Sequence, residues 1–160
     1  MSQAPDPDIL AVLDPVKSAV VEACAGSGKT WLLAARIVRL LLAGAQPGEI
    51  LAITFTRKAA REIEERVVDG LRGLALADDA AVVGYLRERG VSDAAIDAAT
   101  IARARGLYEL LTEAQPGLTV NTFHGWFLQL VAAAPLSAGL AGMRLTDAGS
   151  RRFDELWHSF

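Results

Sequence analysis

The strongest constraint on this chain is the stretch Ala23-Cys24-Ala25-Gly26-Ser27-Gly28-Lys29-Thr30, which joins an apolar run to a helical segment. Gly26 and Gly28 allow backbone angles at which successive N–H groups turn inward and form an anion-binding nest. A helix beginning at Lys29 adds unpaired first-turn N–H groups and the positive end of its dipole. Lys29 supplies a charge for the outer phosphates, and the Thr30 hydroxyl is the expected Mg²⁺ ligand. The order strand, loop, helix favours a phosphate-binding P-loop over a glycine turn without a ligand.

Composition and charge limit the cellular compartment of the chain and the way in which it could bind nucleic acid. The net charge is −3, so no bulk cationic field attracts nucleic acid, and any DNA contact must come from a local patch. The longest apolar stretch, residues 31–45, contains Arg36 and Arg39 and is too short to span a bilayer. No signal peptide is evident. The single Cys24 excludes an internal disulfide and fits a reducing compartment, so we expect a cytoplasmic protein without a membrane contact.

Residues 18–66 read as one βαβ unit behind a leader at residues 1–17. We expect a buried strand at 19–23, a helix from Lys29 to Ala43 that stops at Gly44, and a second strand at 49–55. Strand, helix and strand in this order predict parallel, right-handed pairing. The expected fold class is therefore α/β, with a parallel sheet and flanking helices.

The helix after the second strand carries an unusual charge pattern. It is expected to begin at Arg57 with Thr56 as its N-cap, and apolar residues between 59 and 67 recur at helical spacing. Arg57, Lys58 and Arg61 crowd its first turns, where cations oppose the helix dipole by about 0.3–1 kcal/mol each. Two explanations remain open. Either the face is simply solvated and balanced by the glutamates that follow, or a nucleic-acid phosphate sits at the helix start.

Residues 67–117 read as a helical insertion. One helix is expected over Asp78–Arg89, and a longer one from an N-cap at Ser92 to about Ala114, before Pro116-Gly117. The pair Asp78-Asp79 is most simply the acidic start of a helix and not a metal site.

Residues 118–135 form the next predicted unit. A third strand is expected at Leu118–Phe123, then a turn at His124-Gly125 and a helix over Trp126–Ala134. Residues 136–160 are expected to begin a further helical subdomain that is truncated at the end of the sequence.

Three segments, taken in order, resemble the N-terminal part of UvrD/Rep-type superfamily 1 DNA helicases. They are Glu-Ala-Cys-Ala-Gly-Ser-Gly-Lys-Thr at 22–30, Leu-Ala-Ile-Thr-Phe-Thr-Arg-Lys-Ala-Ala-Arg-Glu at 51–62, and Asn-Thr-Phe-His-Gly at 121–125. The second and third look like that family's two single-strand-contact motifs. The helical block between them is similar to the RecB/AddA branch. The resemblance implies an incomplete P-loop RecA-like sheet, ATP and Mg²⁺ as cofactors, and single-stranded DNA as the partner. As in RecB/AddA-like complexes, a nuclease/helicase partner subunit is a further candidate.

The resemblance also implies roles for individual residues. Phe55 would stack on a base, because an aromatic face binds any base without reading sequence. Arg57 and Lys58 would add charge. The residues expected to contact the sugar–phosphate backbone are Thr54, Thr56, Thr122 and His124. Trp126 and Phe127 are expected to be helix-packing residues and not a second stacking platform, and Trp31 is expected in the core.

Some parts of the helicase pattern are not matched. The glutamine that selects adenine would fall near Asp8, and Gln3 is poorly placed for it. Hydrolysis needs a carboxylate for Mg²⁺ and a residue that positions water, but the only Asp-Glu pair, Asp154-Glu155, lies in a helical stretch. We therefore expect an ATP-binding part of a 3′-to-5′ helicase of double-strand break repair or recombination that cannot hydrolyse ATP alone. The alternatives are a nucleotide-binding module without a motor role and a small P-loop NTPase or kinase.

Overall fold

The structure, a computed structural model, describes residues 7–22, 28–135, 137 and 139. The chain divides into two compact units, Met1–Phe123 and His124–Phe160. The elements in chain order are α1 Pro7–Leu13, α2 Lys29–Leu42, β1 Leu51–Thr54, α3 Arg57–Leu76, α4 Asp79–Glu88, α5 Ala98–Glu113, β2 Thr119–Thr122 and α6 Phe123–Ala133, with short 3₁₀ turns at Pro47–Glu49 and Asp93–Ala95.

The core of the first unit lies between helices. The long helix α3 packs against both α2 and α5, and α4 packs on α5. Burial follows from the helical spacing of apolar residues, which places one stripe of each helix inward. The buried members of α3 are Ala60, Ile63, Val67, Leu71 and Leu74.

The sheet consists of two parallel strands in the described part of the chain. Leu51 pairs with Thr119 and Thr54 pairs with Thr122, so the two strands run in register over their whole length. The chain passes between them through α3, α4 and α5, as a parallel connection requires. The predicted strands at 49–55 and 118–123 are thus confirmed with shorter bounds, and the fold is mostly helical with a small parallel sheet.

The predicted strand at 19–23 is not formed in its described part, residues 19–22. These residues have no regular structure, and Val20 is 94% exposed. An apolar run becomes a strand only when a neighbouring edge pairs with it, and the pairing of β1 is with β2. The parallel pair therefore joins the second and third predicted strands, and the expected βαβ unit at 18–66 is wrong in this respect.

Two helix starts also differ from expectation. The longer helix of the insertion is capped by Asp97 and not by Ser92, because the Asp97 carboxylate accepts a hydrogen bond of 2.7 Å from the Thr100 N–H. His124-Gly125 is not a turn, since α6 begins at Phe123 directly after β2. A helix at Pro7–Leu13 was not foreseen in the leader.

Candidate functional site

The end of the phosphate-loop motif lies at the start of α2. Gly28 has φ 79° and ψ 14°, a left-handed conformation that glycine adopts without strain. Its carbonyl accepts a hydrogen bond of 3.0 Å from the Leu32 N–H, so the first helical turn closes there. A Cβ on Gly28 would meet nothing within 4 Å among the described residues, which leaves the approach to the helix start open. The preceding residues of the motif, Ala23, Cys24, Ala25, Gly26 and Ser27, lie outside the described residues.

Lys29 and Thr30 form the first turn of α2. Lys29 is exposed and Thr30 is half-buried. The first N–H groups of a helix have no acceptor within the helix, so they and the lysine charge can bind a phosphate. No cluster of three or more His, Cys, Asp or Glu that could hold a metal occurs in the described ranges. A Mg²⁺ ion at this end of α2 would thus take the Thr30 hydroxyl and phosphate oxygens as ligands.

A second group of predicted residues meets at one edge of the sheet. Thr54 and Thr122 are paired residues at the last positions of β1 and β2. Because parallel strands present their carboxyl ends at the same edge, two motifs far apart in the sequence are brought together here. Thr54 is half-buried, whereas Thr122 is only 8% exposed.

The connection from β1 to α3 exposes an aromatic ring beside two hydroxyl groups. Phe55 is 98% exposed. The Thr54 hydroxyl accepts a hydrogen bond of 3.4 Å from the Thr56 N–H, and the Thr56 hydroxyl caps α3 by accepting one of 3.1 Å from the Ala59 N–H. A hydroxyl that accepts keeps its own hydrogen, so Thr54 and Thr56 can each still donate to a phosphate oxygen.

A cationic patch, defined as Arg57, Lys58 and Arg61, covers the start of α3. All three side chains are exposed, and the first turn of α3 contains no acidic residue. Among the residues that the structure describes, none of the three forms an ion pair, even with the glutamates that follow. Their charge adds to the positive end of the helix dipole and favours an anion at this point.

His124 belongs to the second unit, where it is exposed at the second position of α6. In the same helix the rings of Trp126 and Phe127 meet edge to face, with centroids 6.3 Å apart. Phe127 is 53% exposed, and no residue of α6 is buried. The two rings thus contact each other along α6, and their packing against another helix stays a prediction.

Two arginines on α2 were not assigned a role from the sequence. Arg36 donates hydrogen bonds to three backbone carbonyls of the leader, and Arg39 donates to a fourth. Their spacing of three residues, in a helix whose only other charged residue is Lys29, is the signal that could have identified them. In this leader the hydrogen bond from the Val16 N–H lowers the pKa of the Asp14 carboxyl, and the hydrogen bond and charge of Lys17 lower it further.

A third arginine lies against the same helix. The Arg89 guanidinium carbon is 3.2 Å from the ring centroid of Tyr85 and 5.9 Å from that of Trp31. Burial lowers the pKa of Arg89 and raises the pKa of the Tyr85 hydroxyl. The Nε atom of Arg89 is buried without a hydrogen-bond partner in the described structure. Trp31, expected in the interior, is thus half-buried beside a cation.

Across the described ranges, no helix is both long and apolar enough to cross a bilayer.

Comparison with curated proteins identifies relatives over parts of the chain. A 57-residue segment is 46% identical to an ATP-dependent helicase/nuclease subunit of Lactobacillus gasseri, covering 36% of this chain and 5% of the relative. The protein of the same name from Streptococcus uberis is 35% identical over 94 residues, 58% of this chain and 8% of the relative. The ATP-dependent DNA helicase UvrD1 of Mycobacterium tuberculosis is 53% identical over 64 residues, 39% of this chain and 8% of the relative. No solved structure matches the chain.

The segments matched here are short parts of long proteins, between 5% and 8% of each relative. A family model, in contrast, matches most of the chain, over residues 8–152. That range includes the phosphate-loop motif, the paired ends of β1 and β2 and the cationic patch. The chain belongs to the UvrD/REP helicase N-terminal domain family.

Proposed function

We propose that this chain is the ATP-binding N-terminal part of an ATP-dependent DNA helicase that moves 3′ to 5′ on single-stranded DNA. Family membership and the names of the relatives support the ATP-dependent helicase activity. The observation that carries the DNA-binding part is the pairing of Thr54 with Thr122, which joins the two proposed strand-contact motifs at one sheet edge. Phe55 stands fully exposed beside that edge.

In this proposal, residues 23–30 bind the phosphates of ATP. The backbone N–H groups of the loop and of the first turn of α2 donate to phosphate oxygens, while Lys29 neutralises their charge. Thr30 holds Mg²⁺ through its hydroxyl. The left-handed Gly28 supports this role, because among the described residues no atom lies within 4 Å of the position that a Cβ would take there. Bound ATP supplies the phosphoanhydride bond whose cleavage drives movement along DNA.

The DNA strand lies across the carboxyl end of β1 and the start of α3. Phe55 stacks on a base, and Thr54 and Thr56 donate hydrogen bonds to the sugar–phosphate backbone. Arg57 and Lys58 attract the phosphates, which explains why cations stand at a helix end that ordinarily disfavours them. Thr122 was also expected to contact the backbone, but its side chain is only 8% exposed, so we assign it to supporting the edge instead. His124 contacts the backbone by analogy with the family motif.

We propose a role in double-strand break repair or recombination, on the resemblance of the motifs and the helical block to the RecB/AddA branch, and we propose the cytoplasm on the single Cys24. Relatives are called ATP-dependent helicase/nuclease subunits. The word subunit in the names of these relatives supports a partner subunit for this chain as well. In the sequence the one Asp-Glu pair, Asp154-Glu155, follows Arg151-Arg152-Phe153 and not an apolar run, so we expect these residues to bind ATP without turnover. An ATPase assay with single-stranded DNA tests this, and robust turnover abolished by Lys29→Ala would refute it.

Salt dependence of oligonucleotide binding tests the DNA site. The parent chain is titrated into labelled oligo-dT at several salt concentrations, beside an Arg57→Gln/Lys58→Gln variant. Removing two phosphate contacts is expected to reduce the slope of log K against log salt by about 1.4, at about 0.7 per contact for single strands.

The matched control is Arg72→Gln, an exposed arginine of the same helix about 22 Å further along its axis, at 1.5 Å per residue. It should leave the slope unchanged. A reduction of the slope in Arg72→Gln by about half of that in the double variant, in proportion to the one charge removed, would mean that the cations act only through net charge. Nucleotide binding without any binding of DNA would instead favour the P-loop NTPase or kinase alternative.

A further inference from the structure

A cavity of about 270 Å³ lies between α2, α3 and the end of α4. Its floor is apolar, because α2 contributes Ala34, Ala35 and Val38, all of them buried. Small side chains on the floor leave the space that a larger residue would fill. A cavity of about 150 Å³ is enough to hold benzene, so this one has room for a ring that carries a further group.

Arg89 places a cation in the wall of this cavity. Its side chain is only 13% exposed, and its Nη1 atom donates to the Tyr85 carbonyl at 3.1 Å. Among the described residues, the only carboxylate in ion-pair range is that of Glu88, which is 3.6 Å away and 70% exposed. The Nε atom has no partner. A cation removed from water needs a close counter-ion and a partner for each donor, so the charge of Arg89 is incompletely compensated.

Two aromatic rings hold the Arg89 guanidinium in place. Its central carbon is 3.2 Å from the ring centroid of Tyr85 and 5.9 Å from that of Trp31. The Tyr85 ring is itself fixed, because its hydroxyl oxygen lies 2.6 Å from the position that a Cβ on Gly70 of α3 would take. A charge that is already oriented costs little further ordering when a ligand binds.

Arg66 adds a second cation to the lining. Its side chain is exposed, and none of the described residues forms an ion pair with it. Asp69 lines the same cavity, but it is 73% exposed and lies 3.9 Å from Arg72. Two cations and one carboxylate leave a single positive charge in the lining. This balance favours a monoanion over a phosphate dianion.

We propose that this cavity is a binding site for a small organic carboxylate with an apolar or aromatic body. The carboxylate faces Arg89 and Arg66, since a planar carboxylate matches the fork of a guanidinium. The body of the ligand packs on the floor formed by Ala34, Ala35 and Val38. The site is separate from the residues proposed to bind ATP and DNA, and it does not depend on either proposal.

The test uses benzoate and its neutral analogue benzamide, which have nearly the same shape and differ in charge. Phosphate-bearing probes are avoided because they would also bind the phosphate-loop motif. One readout is the side-chain Nε–H resonance of Arg89 in ¹⁵N-labelled protein, assigned by its loss in Arg89→Lys. The other is the fluorescence of Trp31 in a Trp126→Phe/Trp157→Phe background, in which Trp31 is the only tryptophan left of three. Both titrations are made at constant ionic strength.

We expect benzoate to shift both signals and to saturate in the millimolar range, as befits a ligand of few atoms. Benzamide should bind at least about tenfold more weakly, because hydrogen bonds to charged groups contribute more than neutral ones. Arg89→Gln should weaken benzoate by a similar factor, and Arg66→Gln by up to about fivefold, as for an exposed ion pair. Arg87→Gln is the matched control and should change nothing, since Arg87 is an exposed arginine of the same helix that pairs with Asp93 at 2.6 Å.

Three outcomes would overturn the proposal. Equal affinities for benzoate and benzamide would show an apolar cavity without a role for charge. A Trp31 response to benzoate that is as strong in Arg89→Gln as in the parent would remove Arg89 from the site. No saturable shift of either signal in the parent would show that there is no site. The comparison of the two probes in the parent needs no change at position 89, so it decides the matter even if Arg89→Gln does not fold.

Discussion

Replacing Phe55 by alanine isolates the stacking contact from the stability of the fold. The side chain is 98% exposed, so its removal takes no apolar surface out of the core and should leave the melting temperature unchanged. Stacking of a base on an aromatic ring contributes about 1–3 kcal/mol. The dissociation constant for single-stranded DNA should therefore rise by about 5- to 150-fold, since 1.4 kcal/mol is tenfold.

The assay is fluorescence anisotropy of labelled oligo-dT at fixed salt. Phe55→Trp keeps an aromatic face and should retain most of the affinity. Leu76→Ala removes another exposed apolar side chain, 85% exposed, at the far end of the helix α3 that follows Phe55, and should have no effect. An affinity of Phe55→Ala within about twofold of the parent would refute the stacking role, because it would lie below the smallest stacking contribution. Equal losses in Leu76→Ala would show general apolar adhesion instead.

Three further predictions concern the stability of the helices next to the site. A Cβ on Gly70 would lie 2.6 Å from the Tyr85 hydroxyl oxygen. Gly70→Ala should therefore destabilise the parent. In a Tyr85→Phe variant, which lacks the hydroxyl, the same change should stabilise the protein by about 1 kcal/mol through the higher helix propensity of alanine. Both effects are measured by denaturant unfolding, and equal effects in the two backgrounds would contradict the contact. Leu71→Ala, at a position that is 0% exposed, should lower the free energy of unfolding by about 2–5 kcal/mol, and a loss under 1 kcal/mol would show that α3 is not the centre of the core. The Thr100 N–H lowers the pKa of Asp97 below its ordinary 3.8, so the stability from this cap is present above about pH 4 and is lost as pH falls through the folded-state pKa. Asp97→Asn, which caps without titrating, should show a smaller loss of melting temperature below pH 4, and an identical acid profile would exclude this cap as a source.

Local interactions made several elements predictable from the residues alone. The start of α2 at Lys29, the Thr56 cap of α3 and the acidic start of α4 at Asp78-Asp79 appear as expected, with Asp78 acting as the N-cap of α4. In each case the signal and the contact lie within one helical turn. Thr56 accepts from Ala59, for example, and Asp78 accepts from Ala81. The exposed cations at Arg57 and Lys58 are likewise legible in the sequence, because their helix position follows from the same cap.

Contacts between distant residues were not predictable in this way. The apolar runs at 19–23 and 49–55 look alike as sequences, yet the described residues 19–22 have no regular structure whereas 51–54 pair with 119–122. Strand formation depends on a partner edge and not on the run alone. The same holds for Arg36, whose partners are carbonyls of the leader with no side-chain signature. The sequence alone therefore determined which motifs and helix caps the chain contains. The tertiary structure decided which motifs come into contact. A helix cap needs only neighbouring residues, whereas a strand edge, or an arginine that donates to distant carbonyls, needs partners from elsewhere in the chain.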